Sequence, residues 1–367
     1  MEVGEAIVVG GGVIGSGIAY ELARRRFDVT LIERGQIGGE ATAASAGIIS
    51  LPNRMDWRPE RIELGRRSLA RYPSLVPELE AAADLSLEYK RTGEWAIAVD
   101  AGHAAFEAER AAWQAALGFP IEQVDPAAAR KREPALPETT VAAWHTPEAA
   151  TITVRRLAQA YAQAAERLGA TILEETPVAS VAHADFRVAG VNLAAGTRHA
   201  PLVILACGAW TRFLGDSIDV NLPTKPVKGQ LIAFRGGAIR PASVITGHGG
   251  YVRPRLDGTT IVAATEEDAG FDKRVTGDGV AWLLDLTRTI CPTLLSGELV
   301  DAWSGLRPGS ETHDPMIGPV AGWDGLWVAA GHFRTGAKEA PATAELVAQS
   351  ILDGVVDPVL APFAPPA

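Results

Sequence analysis

The stretch Ala6-Ile7-Val8-Val9-Gly10-Gly11-Gly12-Val13-Ile14-Gly15-Ser16-Gly17-Ile18-Ala19, answered by Val29-Thr30-Leu31-Ile32-Glu33, decides how this chain is read. Four apolar residues enter Gly10-x-Gly12-x-x-Gly15, a helical apolar pattern runs on through Tyr20 and Leu22, and an acid closes the next apolar run. The order is strand, turn, helix, strand. Gly10 permits a tight turn, Gly12 lets the backbone approach a pyrophosphate, and Gly15 lets the helix lie close on the strand. The helix N-terminus offers free N–H groups and the positive dipole end to the phosphates. Glu33 is placed to accept hydrogen bonds from an adenosine ribose, so the stretch reads as a dinucleotide site.

Length and composition bound what surrounds it. A chain of 367 residues exceeds what one hydrophobic core usually serves, so two domains are expected. Apolar residues make up 47% and charged ones 21%, the balance of a folded globular protein. Lys plus Arg number 34 against 44 Asp plus Glu, a net −10 that argues against general nucleic-acid binding. Only Cys207 and Cys291 are present, too few for a disulfide framework and without metal-ligand spacing, so no metal and a reducing, cytoplasmic setting are expected. Glu2 and Glu5 stand where a signal peptide carries positive charge, and no apolar run is long enough for a transmembrane helix.

Further along, residues 38–49 are mostly small, which suits close approach to a bulky ligand or a connector. Apolar spacing predicts helices between Pro59 and Leu87 broken at Pro73 and Pro77, then short helices over 104–117 and 126–133. Glu133-Pro134-Ala135-Leu136-Pro137 is read as a crossing between domains. A helix over 153–168 ends at Gly169, before a strand at 170–173. Leu202–Ala206 is a buried strand running into a tight turn at Cys207-Gly208. From Lys225 to Thr265 polar and apolar residues alternate between glycine turns, predicting an antiparallel sheet covered by a helix over 276–290. Trp303–Gly309 reads as tight turns, Leu326–Ala330 as a strand, and Ala340–Leu352 as the last helix.

Several separated motifs then agree with one family. The fingerprint, Ala44-Ser45-Ala46-Gly47, Lys228-Gly229-Gln230, Gly250-Tyr251-Val252-Arg253-Pro254-Arg255, Gly305-Leu306-Arg307-Pro308-Gly309 and Gly331-His332-Phe333-Arg334 span nearly the whole chain. In their order and spacing the chain resembles the flavin-dependent oxidases of the D-amino-acid-oxidase superfamily, and most closely glycine oxidases of the thiamine-biosynthesis type. The resemblance implies an α/β fold: a Rossmann-like FAD-binding domain (1–85, 138–220 and 304–367) beside a smaller α+β substrate domain on a mostly antiparallel sheet (86–137 and 221–303). It implies noncovalent FAD, since no cysteine lies near the C-terminus, and a homotetramer.

By motif match, Gly10, Gly12, Val13, Ile14 and Gly15 would cradle the pyrophosphate, with Glu33 and Arg34 at the ribose and adenine. Ala41, Thr42, Ala46, Gly47 and Ile48 would line the pyrophosphate and flavin, Val178 would meet the adenine through its backbone, and Gly208 would join the cofactor wall. His332, Phe333, Arg334, Thr335, Gly336, Ala337 and Lys338 would lie under the pyrimidine end of the flavin.

Oxidising an amino acid at its α-carbon moves a hydride to flavin N5, so the protein must chiefly hold a carboxylate and aim one C–H bond. Arg307 is the candidate clamp, because a planar guanidinium grips a carboxylate with two parallel hydrogen bonds. Tyr251 would donate its O–H to the same group. Arg334 would stabilise charge on the reduced ring, contact substrate, or serve as an ion-pair partner. His332 receives no acid or base role.

The implied reaction is oxidation of glycine, sarcosine or small D-amino acids with oxygen as acceptor, giving an imino acid and hydrogen peroxide. A dehydrogenase feeding a quinone or carrier protein, and a non-catalytic flavin-binding subunit, are the alternatives. Two places depart from the family pattern: Ala337-Lys338-Glu339 replaces large aliphatics, and Glu266 stands where relatives carry an apolar residue. Glu266 would either face inward and favour a basic amine, or face solvent beside Glu267 and Asp268.

Overall fold

The computed structural model describes residues 4–366. The fingerprint strand Glu5–Val9 lies inside a six-stranded sheet in the order 316–319, 326–330, 202–205, 5–9, 28–32, 171–173. All neighbours in it are parallel except the edge strand 316–319. Alternation along Glu5–Val9 decides its two faces. Ala6 and Val8 pack into a core shared with helices Val13–Arg24, Pro59–Ala83, Val154–Arg167 and Gly336–Asp353. Ile7 and Val9 face the other way, toward Val181, Val188 and Val191 of a three-stranded sheet built from 178–184, 187–193 and 196–199.

An eight-stranded sheet follows the order 298–309, 225–235, 259–263, 250–254, 244–247, 94–98, 142–146, 122–124. It is antiparallel apart from the parallel pairing of 244–247 with 94–98. One face, with Ile232, Val252, Val262 and Trp95, is covered by Leu283, Leu286 and Ile290 of helix Gly277–Ile290. The opposite face carries Leu231, Ala263, Tyr251 and Trp303 and turns toward Ala46. The expected mixed α/β architecture is present, with the antiparallel character of 225–265 as read from its alternation.

Four local expectations are corrected. Pro73 and Pro77 do not break the chain: Pro59–Ala83 is one helix of 25 residues. Each interior proline costs about 3 kcal/mol. Both lie on the exposed side, where the freed carbonyls meet water, while Tyr72, Leu75, Val76 and Leu79 are buried at about 1.5–3 kcal/mol each and fix the helix. Trp303–Gly309 is no run of turns but the end of a 12-residue strand, Glu298–Gly309, paired with Lys225–Arg235. Its glycines serve close approach, since a Cβ on Gly305 would collide with the Ala44 methyl and one on Gly309 would lie 2.8 Å from Val227. Pro308 is tolerated because this strand is the sheet edge.

The chain also does not leave the eight-stranded sheet at 133–137. Ala135 and Leu136 are buried in its core, and Ala142–Thr146 still pairs within it, so the change of sheet falls between Thr146 and Ala150. Finally, the last helix begins at Gly336, not Ala340, with Pro341 inside it.

Candidate active site

The end of the fingerprint strand, the inner face of the eight-stranded sheet and the start of helix Gly336–Asp353 enclose one cavity of about 710 Å³. Gly10, Gly12, Val13 and Ile14 line it where helix Val13–Arg24 begins. That helix has no side-chain cap from Gly12 and no acid in its first turn. Val13 N donates to Thr42 Oγ1 at 3.1 Å, so the Ala41–Ala44 turn is stitched to the start of that helix. A Cβ on Gly12 would meet only that hydroxyl, at 3.4 Å, which leaves the backbone open toward the cavity. Gly15 lies behind the wall: a side chain there would strike the Gly10 carbonyl, and it lines no part of the cavity. Its role is the helix–strand packing read from the motif, and contact with a cofactor is corrected.

Glu33 lines the cavity with its carboxylate fixed by two backbone donors, Gly11 N at 2.7 Å and Gly35 N at 2.9 Å. Arg34 lies 3.9 Å over the Trp210 ring and pairs with Glu40 at 3.1 Å. Ala41, Thr42, Ala46, Gly47, Ile48, Val178 and Gly208 all line the same cavity. Gly47 has φ +69, and a Cβ would clash with the Ile152 carbonyl, so this position requires glycine. Cys207 also lines the wall, donating to Val9 O at 3.2 Å; burial pushes its thiol up to about 12, which keeps it protonated and unreactive.

His332, Phe333, Arg334, Thr335, Gly336, Ala337 and Lys338 close the opposite end. His332 is buried, its Nε2 lies 3.2 Å from Thr343 Oγ1, and burial lowers its imidazole to about 4, so it is neutral. Its Nδ1 has no partner within the described protein. Lys338 is buried too. Its ammonium donates to Leu51 O at 3.3 Å and lies 4.9 Å over Trp57, and burial, opposed by Glu339, lowers it to about 8. An uncapped helix start, a glycine cradle and these two polar atoms make a site that fits a dinucleotide and a ring with polar edges.

The departure at Lys338-Glu339 is answered by a residue the sequence did not single out. Arg61, 1% exposed on the long helix, pairs with Glu339 at 3.2 Å, with Asp314 at 3.2 Å and with Thr335 Oγ1 at 3.0 Å. It ties that helix to the turn under the cavity. Nothing in its local pattern announces this, because the partners are distant in sequence.

Arg307 stands on the strand Glu298–Gly309 and reaches the cavity through a gap left by Gly229, where a Cβ would lie 2.6 Å from the guanidinium carbon. Its Nη1 donates to Thr265 O at 3.0 Å and Lys228 O at 3.3 Å. Among the described residues no carboxylate pairs with it, and burial lowers its pKa. Tyr251 lines the cavity on the neighbouring part of the sheet. Burial raises its phenol and Arg307 opposes this, so the hydroxyl is a neutral donor. Arg334 is held by Glu266, which is exposed and does not line the cavity, so the inward-facing expectation is corrected and the solvent-facing one holds, with the carboxylate bound to Arg334. Burial raises its pKa, yet the hydrogen bond and charge of Arg334 win and hold it low. Glu267 turns to Lys228 at 3.2 Å and Gln230 at 2.7 Å, so it is drawn in while Glu266 and Asp268 are exposed.

Comparison with known proteins agrees with this geometry. Residues 5–350 match the family described as FAD dependent oxidoreductase. The glycine oxidase of Pseudomonas putida is 34% identical over 98% of both chains. The bifunctional protein ThiO/ThiG of Synechocystis is 31% identical over 98% of this chain and 53% of its own length. The crystal structure of glycine oxidase from Bacillus cereus superposes with a TM-score of 0.93 at 28% identity, covering 99% of both chains. The chain belongs to the FAD dependent oxidoreductase family of the D-amino-acid-oxidase superfamily. It is an FAD-dependent, glycine-oxidase-like oxidoreductase. No helix among the described residues is long and apolar enough to cross a membrane.

Proposed function

We propose that this enzyme oxidises glycine, sarcosine or a small D-amino acid at the α-carbon. The observation that carries this reading is Arg307: a cavity-lining guanidinium steadied by two main-chain carbonyls and left without a carboxylate partner among the described residues. A substrate carboxylate would complete it through paired hydrogen bonds, with the Tyr251 hydroxyl as third donor. The positive charge of Arg307 disfavours an ammonium beside it, which helps the substrate amine bind neutral. The neutral nitrogen then pushes its lone pair into the forming C=N bond as hydride leaves the α-carbon, so no side-chain base is required. Bound FAD supplies the two-electron acceptor for that hydride.

Gly10 through Ile14, Glu33, Arg34, the 41–48 segment, Val178 and Gly208 would hold the cofactor, and 332–338 would underlie its ring. We assign the six-stranded sheet to the cofactor and the inner face of the eight-stranded sheet to substrate. Oxygen is the proposed terminal acceptor, giving hydrogen peroxide, and a cytoplasmic homotetramer is the expected form. The test is oxygen consumption and peroxide release by purified holoenzyme given glycine, sarcosine or D-alanine. One peroxide per imino acid supports the reading; imino acid formed only with an artificial quinone acceptor would replace it with a dehydrogenase.

A further inference from the structure

Helix Ala101–Ala116 buries the wrong kind of face. Residues His103, Glu107, Arg110 and Gln114 fall at helical spacing on one side, where a surface helix usually carries apolar residues. Glu107 is 2% exposed and Gln114 5%, and all four line the same cavity as Arg307 and Tyr251. Burying polar groups is costly unless they serve a polar occupant or each other. Gln114 is satisfied by Pro52 O at 2.6 Å, and Glu107 pairs with Arg110.

The sheet below continues the row from the substrate side. Tyr251 pairs with Thr246, and Thr246 with Ala96 one strand further, two residues from Glu94. Strands lie about 4.8 Å apart and residues rise about 3.3 Å along each, so Glu94 stands roughly 12 Å from Tyr251 across the sheet. Its carboxylate accepts from Thr246 Oγ1 at 3.1 Å, lines the cavity, and forms no salt bridge among the described residues. Lys338 acts on it only as a longer-range charge.

Acceptors also crowd the helix side. His248 N donates to His103 Nε2 at 3.0 Å, which marks this ring nitrogen as unprotonated. The same nitrogen lies 3.3 Å from Glu107 Oε1, where burial favours a proton on the carboxyl that can sit between them. Asp100 lies 3.8 Å from His248 on the outer side. Glu107 is paired with Arg110, and Asp100 lies outside the cavity, so Glu94 is the carboxylate of this group left facing the cavity without a salt bridge among the described residues, with Lys338 as a cation at longer range.

We propose that this extension of the cavity is a subsite for a distal ammonium, so that amino acids with a cationic side chain, of the D-ornithine and D-lysine class, are substrates. The inference rests on the proposed amino-acid oxidation, with the α-carboxylate at Arg307 and Tyr251 and the side chain running past Thr246 to Glu94. Glu94 is its specificity-determining residue.

The test compares D-ornithine with D-norvaline, and D-lysine with D-norleucine, on wild-type holoenzyme and Glu94→Gln, with D-glutamate as the anionic probe. Steady-state kcat/KM and calorimetric affinity measured anaerobically are the two readouts. The expected result is a preference of about tenfold or more for each cationic substrate over its apolar counterpart, seen mainly in KM and largely lost in Glu94→Gln. Equal use of the paired substrates, a preference for D-glutamate, or a preference that survives Glu94→Gln would overturn it. If glycine and D-alanine are oxidised but cationic substrates gain nothing, this inference fails and the oxidase reading stands. If no amino acid is oxidised, the oxidase reading fails, and equal calorimetric affinities for D-ornithine and D-norvaline would then sink the subsite as well.

Discussion

Gly229 and Arg307 lie diagonally across paired strands, Gly229 opposite Gly305 and Arg307 opposite Val227, and the missing side chain of one is the space occupied by the guanidinium of the other. A methyl on residue 229 would lie 2.6 Å from the Arg307 Cζ. The atoms it meets are the far end of a long side chain, so the fold yields by displacing that side chain. Gly229→Ala is expected to keep the melting temperature and the flavin spectrum near wild type. It should lower kcat/KM for glycine by about 100-fold, the scale of misplacing a positioning group by an ångström. Steady-state kinetics beside thermal unfolding checks the split.

Arg307→Lys preserves charge but loses the planar fork. Lysine cannot donate two parallel hydrogen bonds to the carboxylate while also holding Lys228 O and Thr265 O. A loss of about 3 kcal/mol, or roughly 100-fold in kcat/KM, is expected, little better than Arg307→Ala. Recovery of near-wild-type kinetics by lysine would show that charge alone suffices.

Tyr251→Phe should be milder. One hydrogen bond to a charged group is worth about 1.5–3 kcal/mol, so kcat/KM should fall about tenfold or somewhat more, mainly through KM. Because burial raises the phenol pKa, the hydroxyl does not ionise near neutrality, and the pH–rate profile of the variant should keep the wild-type shape.

Arg61 and Glu339 form a buried pair at 3.2 Å, and one carboxylate oxygen of Glu339 has no other partner within the described protein. Arg61→Met leaves that carboxylate buried and uncompensated, for which a loss of about 3–5 kcal/mol is expected in denaturant unfolding. The double variant Arg61→Met with Glu339→Leu should recover much of it. A single variant as stable as wild type would mean the pair does not anchor the long helix.

Burial raises the Glu107 carboxyl from its ordinary 4.5 to about 7, with Arg110 opposing. Between these values the folded chain holds a proton that the unfolded chain has released. The stabilisation is complete below pH 4.5 and is lost as pH rises to about 7. Glu107→Gln removes this dependence. Relative to that variant, wild-type stability should fall by about 3 kcal/mol from pH 4.5 to 7.5. Parallel stability–pH curves would contradict the raised pKa.

The sequence was most legible where chemistry and backbone coincide. Gly10, Gly12, Glu33 and the 332–338 turn line the cavity, and Gly15 packs behind it, because their places depend on local spacing. Arg307 and Tyr251 could be named only through the family motifs, since the groups that frame Arg307, Gly229 and the Thr265 carbonyl, are distant in sequence. Arg61 and the polar face of helix Ala101–Ala116 were invisible for the same reason. A buried arginine and a surface one have the same spacing until tertiary packing decides. Pro73 and Pro77 misled because local propensity was outweighed by burial on the opposite side of their helix.

The proposed anchor is the Arg307 guanidinium, which would hold the carboxylate of the molecule being oxidised in front of bound FAD. It is tested most directly by anaerobic stopped-flow mixing of holoenzyme with glycine or with methylamine, in wild type and Arg307→Ala. Fast, saturable bleaching of the flavin by glycine is expected in wild type, with very slow bleaching by methylamine and a large loss of glycine affinity and rate in the variant. Bleaching by methylamine as fast as by glycine, or an Arg307→Ala protein reduced by glycine as readily as wild type, would contradict it.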